Sequence, residues 1–251
     1  MLPLFIVLTI SNLLFSQSLI IYKSGGIKDT VDIGQTDSIV VAPFQCGVNT
    51  VRYYGKIYHS VQIGNQCWLK ENLDVGTRIN GSSEQTDNST LEKYCYNDDS
   101  INCTIYGGLY QWGELVQYQN GATNYTSPNP AFSGNVQGVC PTGWHIPTND
   151  ELVTLSTAVN NDGNALKAVG QGTDAGAGTN TSGFSALLTG FRTYYSIFGN
   201  LGLATSVWRL NEFESDAAYA DSYFLYNNNN TFPLGTNFKR YAFSARCIKD
   251  N

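Results

Sequence analysis

The chain has 251 residues, with 14 Lys and Arg against 20 Asp and Glu and a net charge of −6. That balance, without any basic run, excludes binding to a phosphate backbone, which needs clustered Lys and Arg. Charged residues make up only 14% while aromatics reach 13%, including 16 tyrosines, which fits a loop- and strand-rich domain solvated by amides and hydroxyls rather than a charge-rich helical protein.

Residues 2–15 form an apolar run broken only by Pro3, Thr9, Ser11 and Asn12, and Ser16-Gln17-Ser18 follows as a small-x-small site. This is the pattern of a secretory signal peptide over residues 1–18. The run falls short of the about 20 residues a membrane span needs, and no later apolar stretch reaches that length, so no transmembrane segment is expected. Residues 19–41 read as a separate β element, with strand-like runs at 19–23, 30–33 and 37–41 around the Ser24-Gly25-Gly26 turn signal. A hairpin of that size needs something to pack on. It has a sheet edge to offer to the main domain or to a neighbouring copy.

The main domain is expected over residues 42–251. Residues 52–63 read strand, Gly55 turn, strand, with Ile57, His59, Val61 and Ile63 on one face and Tyr58, Ser60 and Gln62 on the other. His59 then reads as a structural strand histidine. Gly64-Asn65 turns the chain and residues 66–69 pair back. After a polar stretch at 74–103, residues 106–118 are predicted as one helix with Leu109, Trp112 and Val116 as its apolar stripe. Residues 119–137 are a loop. Residues 138–147 hold a cysteine, two prolines, two glycines and a tryptophan, which makes a rigid corner because each proline fixes φ and removes an N–H. A helix follows: Thr148 and Glu151 form a capping box, and Leu152, Leu155 and Val159 recur on one side. Asn160-Asn161-Asp162-Gly163 ends it. Residues 170–183 carry Gly170, Gly172, Gly176, Gly178 and Gly183; no strand precedes them and no Lys-Ser/Thr follows, so a phosphate loop is not supported. Short strands are predicted around 190–194, 222–226 and 241–248. Helices in the middle and strands late argue for an α+β domain.

Six cysteines in an exported chain imply three disulfides, and sequence alone leaves fifteen connectivities open. Cys95 and Cys103 close a short turn-rich loop, and Cys46 and Cys67 flank the hairpin. Cys140 and Cys247 are then left to each other. A zinc site is disfavoured, since there is no CxxC and the chain has 2 histidines.

Six motifs together resemble the Fibrobacter succinogenes major paralogous domain. They are Ile63-Gly64-Asn65-Gln66-Cys67-Trp68-Leu69-Lys70-Glu71-Asn72-Leu73, Tyr106-Gly107-Gly108-Leu109-Tyr110-Gln111-Trp112, the run from Cys140 to Pro147, Ser182-Gly183-Phe184-Ser185-Ala186-Leu187, Gly190-Phe191-Arg192, and Phe243-Ser244-Ala245-Arg246-Cys247-Ile248-Lys249-Asp250. The family is secreted, of unassigned activity, and similar to the C-type-lectin-like superfamily, which also holds the formylglycine-generating enzymes. The resemblance implies a compact C-type-lectin-like domain with two helices on a twisted, interrupted antiparallel sheet. It also implies the pairing of Cys140 with Cys247, which both lie inside motifs. The chain departs from the family where Trp-Trp-Ser-Ser is common and Ser206-Val207-Trp208-Arg209-Leu210-Asn211-Glu212 stands instead.

Chemistry is sparse. His145 in the rigid corner has no nucleophile in recognisable relation to it and reads as structural. The carboxylate pairs Asp98-Asp99, Asp150-Glu151 and Glu212-Phe213-Glu214 lie in turns and caps. No catalytic residue is therefore assigned. Alternate spacing makes Asp162 with Asn164, and Glu212 with Glu214, the candidate oxygen ligands for calcium; the EF-hand pattern itself fails and no other cofactor is expected. Aromatics beside amides in the C-terminal third suit a sugar or protein surface. The tentative binding set is Tyr194, Tyr195, Trp208, Glu212, Tyr223 and Tyr226. The expected function is a secreted or cell-surface, non-catalytic binding or adhesion module. A structural subunit polymerising through the N-terminal β segment is the alternative, and a formylglycine-generating-like enzyme comes third.

Overall fold

A computed structural model describes residues 43–212 and 215–250, together with three N-terminal strands. The chain divides into two units, Met1–Phe44 and Gln45–Asn251. In the first, β1 (Ile6–Val7), β2 (Ser18–Tyr22) and β3 (Lys28–Asp32) form an antiparallel sheet in that order. The strand-like runs expected at 19–23 and 30–33 fall on β2 and β3. The run at 37–41 lies outside the described residues, as does the expected signal peptide apart from β1 and Ser18.

The second unit runs β4 (Thr50–Tyr53), β5 (Lys56–Ile63), β6 (Gln66–Leu69), β7 (Thr77–Arg78), β8 (Glu92–Lys93), α1 (Ser100–Tyr106), β9 (Leu109–Tyr110), α2 (Trp112–Leu115) and β10 (Trp144–His145). It continues through α3 (Asn149–Ala158), α4 (Gly163–Leu166), β11 (Thr189–Arg192), β12 (Phe198–Leu201), β13 (Ala204–Glu212), β14 (Tyr219–Tyr226), β15 (Leu234–Phe238), β16 (Phe243–Ser244) and β17 (Ile248–Lys249). Two sheets of five strands, β10-β17-β6-β5-β4 and β15-β14-β13-β16-β9, carry most of it. The unit is α+β and mostly sheet, with few and short helices.

Local chemistry accounts for the best-defined elements. Tyr54 and Gly55 both take positive φ between Tyr53 and Lys56, the two-residue turn whose twist suits a hairpin. Helix α3 starts where Thr148 accepts from the Glu151 N–H while Glu151 accepts from the Thr148 N–H at 2.8 Å, the reciprocal cap predicted from the sequence. It buries Leu152 and Leu155 in a cluster with Ile63, Trp68, Leu166, Leu225 and Ile248, so residues of both large sheets meet under this helix. Disulfides join Cys46 to Cys67, Cys95 to Cys103 and Cys140 to Cys247.

The rigid corner is held by its histidine. His145 is buried, with Nδ1 2.6 Å from Asp250 Oδ1 and Nε2 2.8 Å from Glu151 Oε1. One imidazole thus ties β10, the first turn of α3 and the C-terminal segment together.

The strand face is mixed, and one expectation fails. On β5, Tyr58 is 2% exposed and Ser60 is buried, while Ile57 is 49% exposed and His59 faces solvent. Tyr58 and Ser60 turn inward because they have work there, while Ile63 is buried and Gln62 exposed at the far end: the Tyr58 hydroxyl accepts from the Asp74 N–H at 3.1 Å, and Ser60 Oγ bridges Asn49 O and the Gly47 N–H. Satisfying buried backbone groups outweighs simple apolar alternation. The predicted helix at 106–118 is broken. Gly107 (φ 86°) ends α1, and the chain extends through β9 before the single turn of α2. A Cβ on Gly107 would lie 2.7 Å from Asn72 Cβ and 2.9 Å from Leu73 O, so the chain passes here only because the side chain is absent. Leu109, Trp112 and Val116 are buried all the same.

Candidate functional site

Four of the sequence motifs meet at one cleft of about 410 Å³. Lys70, Glu71 and Asn72 come from the segment after β6, Tyr106 and Gly107 from the end of α1, Ser185 and Leu187 from the segment before β11, and Arg246 from between β16 and β17. Ile57 of β5 with Thr104 and Ile105 of α1 closes its flanks.

Asn72 organises the floor. Its Nδ2 donates to Tyr106 O at 2.9 Å and to Ser244 Oγ at 3.3 Å. Its Oδ1 accepts from Arg246 Nε at 3.1 Å and from Arg246 NH2 at 2.8 Å. Arg246 is 2% exposed, gives its NH1 to Phe184 O at 2.5 Å and lies 4.3 Å over the Phe184 ring. Burial pushes its pKa down to about 9, with Glu71 pulling weakly the other way. Glu71 itself is engaged by His59, through the backbone N–H and Nδ1, both at 2.8 Å. Asp74 is buried between the ammonium groups of Lys56 and Lys93, and burial lowers the pKa of both lysines. Ser185 is held in a left-handed backbone (φ 60°) by Asn180, which accepts from its N–H at 2.9 Å. Cys103 lines the cleft as a disulfide, and among the described residues no histidine lines it. The cleft offers donors, cationic groups and apolar flanks, the equipment of a binding pocket.

The tentative aromatic face divides. Tyr195 is 68% exposed and its ring centroid lies 3.9 Å from Tyr194. Tyr194 continues to Phe238 at 4.9 Å and to Tyr241 at 5.6 Å, and Phe238 to Tyr219 at 4.2 Å. This forms a partly exposed strip that holds Tyr194 and Tyr195 of the tentative binding set. Trp208 and Tyr223 do not belong to it. Trp208 is 1% exposed, donates Nε1 to Tyr110 O at 2.9 Å and packs on Phe243; Tyr223 is buried against Phe232. The reason is position: β13 lies inside its sheet between β14 and β16 and is buried on both faces from Ala204 to Leu210, so its aromatic residue packs in the core. Tyr226 stacks on Phe224. Glu212 is ion-paired with Lys239, which lies over the Trp112 ring.

The calcium candidates have other duties. Asp162 caps α4 by accepting from the Asn164 N–H at 3.0 Å, and Asn164 Nδ2 donates to Ala175 O. Glu214 lies outside the described residues. Among the described residues no group of three or more carboxylates, histidines or cysteines is arranged to hold a metal.

Glu114 escaped the sequence analysis. It is 1% exposed; its Oε1 accepts from the Glu92 N–H and from Gln117 Nε2, and its Oε2 from the Tyr118 hydroxyl. Burial pushes its pKa from 4.5 up to about 7. A carboxyl raised in the folded state binds a proton that the unfolded chain has released, so stability falls as pH rises through that interval. His145 acts in the same direction: burial opposes its charge, but Glu151 and Asp250 outweigh burial and raise its pKa. Its contribution is full below the unfolded value and lost as pH rises through the folded one. Glu151 is lowered, because His145 and Thr148 outweigh its burial, and its contribution is lost as pH falls. Glu114 and His145 thus make stability fall as pH rises, and Glu151 makes it fall as pH drops. Glu114→Gln should raise stability at pH 8 by about 1–3 kcal/mol and by less than about 1 kcal/mol at pH 5. Urea midpoints at the two pH values measure this, and an equal gain at both would show that the buried charge is not the cause.

No curated protein and no solved structure matches the chain. A family model, the Fibrobacter succinogenes major domain, matches residues 61–249 and so includes all four motif segments at the cleft. The chain belongs to the Fibrobacter succinogenes major domain family.

Proposed function

We propose that this protein is an exported, non-catalytic binding module and that the cleft between the four motif segments is its ligand pocket. The observation that carries the reading is that convergence: segments far apart in sequence each bring a polar side chain or a close backbone approach to one concave site. Export is supported by the signal-like leader and by the three disulfides, which suit an oxidising milieu. A second reading rests on the strip Tyr195-Tyr194-Phe238-Tyr219, whose rings suit a flat sugar or a protein surface.

An array of oligosaccharides and peptides, probed with the whole chain, tests both. Thr104→Trp fills the cleft from an exposed helical position, and Tyr195→Ala removes the most exposed ring of the strip. Retention should be lost with Thr104→Trp, at unchanged melting temperature, and survive Tyr195→Ala. The reverse result would move the site to the strip, and loss with neither variant would overturn both readings.

A further inference from the structure

The buried cations of this chain set a pattern that one of them breaks. Arg192 is paired with Glu84, Arg209 with Asp221 and Lys239 with Glu212. Lys167 has no ion pair among the described residues, but its ammonium has only three N–H groups and three backbone carbonyls take them. Arg246 is as buried as these and has no ion pair among the described residues. A guanidinium carries five N–H groups. Among the described residues Arg246 makes three hydrogen bonds, one from each nitrogen, to a side-chain amide and one backbone carbonyl, and two of its N–H groups are left over. Buried charge that is not neutralised is costly, and the lowered pKa of Arg246 expresses that cost. The two carboxylates nearby are already engaged, Glu71 by His59 and Asp74 by two lysines. Lys70, also on the cleft, has no ion pair among the described residues either. A protein of net charge −6 thus keeps two cationic groups without a direct ion pair among the described residues on one concave site, whose lining carboxylates Glu71 and Asp74 are bonded to His59 and to two lysines.

From this we infer that the cleft binds an acidic sugar, a uronate whose carboxylate is received by Arg246 and Lys70. The planar fork of arginine matches a carboxylate. The rest of the cleft suits a pyranose ring: Thr104 and Ser185 add polar residues to the lining, and Ile57, Ile105 and Leu187 offer apolar cover. A space of about 410 Å³ is within the range of small-ligand sites. The inference rests on the cleft reading above and narrows it to one ligand class.

Calorimetric titration of the whole chain tests it with four probes: a galacturonate disaccharide, its methyl ester, a neutral galactose disaccharide, and a tripeptide with a free C-terminus. The free acid should bind about tenfold or more tightly than its ester, and weaken as salt rises from 50 to 500 mM. Lys70→Gln, at a half-exposed site, should reduce acid binding about three- to tenfold without changing the melting temperature. Arg246→Lys should reduce it further if that variant folds; the conclusion does not depend on it. Equal binding of acid and ester, blocked by Thr104→Trp, would overturn the acidic ligand and leave the cleft as the site. Binding of the tripeptide alone would overturn the sugar. Acid binding indifferent to both Lys70→Gln and Thr104→Trp would overturn the location, and no heat from any probe at millimolar concentration would overturn the inference outright.

Discussion

Replacing Cys140 and Cys247 together by alanine should lower the stability of the domain by about 4–5 kcal/mol, the largest loss among its disulfides. The two cysteines are 107 positions apart, against 21 for Cys46–Cys67 and 8 for Cys95–Cys103. A cross-link restrains the unfolded chain in proportion to the logarithm of the loop it closes, which gives about 3 kcal/mol for Cys46–Cys67 and 2–3 kcal/mol for Cys95–Cys103 on the same basis. Alanine is the right replacement, since both sulfurs are buried and serine would add the cost of an unpaired hydroxyl. The bond also bears on the site. Cys247 follows Arg246 directly, and its carbonyl accepts from the Leu69 N–H beside Lys70, so losing it should loosen one wall of the cleft as well. Urea unfolding of the three double-alanine variants ranks the effects; an equal loss for the 140–247 and 95–103 variants would show that loop closure is not the source.

What could be read in the sequence follows how locally each feature is determined. The start of α3 is written in Thr148, Glu151 and the following leucines, because a helix cap and its stripe depend on neighbours within two turns. The hairpin turn at Tyr54-Gly55 is local in the same way. The inward face of β5 is not, since it depends on what Asn49 and Asp74 require from across the fold. Trp208 reads as a surface ring beside amides until β14 and β16 enclose its strand, and pairing partners of that range are not encoded in a window of ten residues.

The cleft was the deeper omission. Asn72 and Arg246 are 174 positions apart, so no spacing rule links them. A signal was present nonetheless. Within Lys70-Glu71-Asn72 and Ser244-Ala245-Arg246 the polar members have no packing explanation, unlike the tryptophan, leucines and cysteines around them. Polar residues left over inside motifs that are otherwise architectural are the places to look for a site. Glu114 had no comparable signal, since its neighbours Trp112 and Leu115 make it look like the outer face of a helix that the fold instead buries.

Lys167→Met should cost about 3–5 kcal/mol, the second large effect, although it removes a buried charge without a carboxylate partner. The usual expectation for buried ions points the other way: exchanging an ion pair for apolar residues of similar volume is often neutral, because both charges leave together. Here the partners cannot leave. Lys167 Nζ donates to Gly176 O at 2.5 Å, to Tyr226 O at 2.6 Å and to Asn229 O at 2.8 Å, and methionine would strand three backbone carbonyls, each at about 1–3 kcal/mol. Those carbonyls belong to the glycine-rich segment, to the last residue of β14 and to the turn after it, which the lysine draws together. Their approach is so close that a Cβ on Gly176 would lie 2.2 Å from Asn227 O, so the segment has no room to rearrange around the gap. Burial lowers the pKa of the lysine, yet the surrounding oxygens are all acceptors, and a protonated amine is what they require. Because Ala168, the next residue, lines the cleft, faster hydrogen exchange should appear at Gly176 and Gly178 and extend to the Ala168 amide, which donates to Ala186 O. A methionine variant with unchanged urea midpoint and unchanged exchange would mean that water replaces the ammonium, and the staple would then be dispensable to the fold.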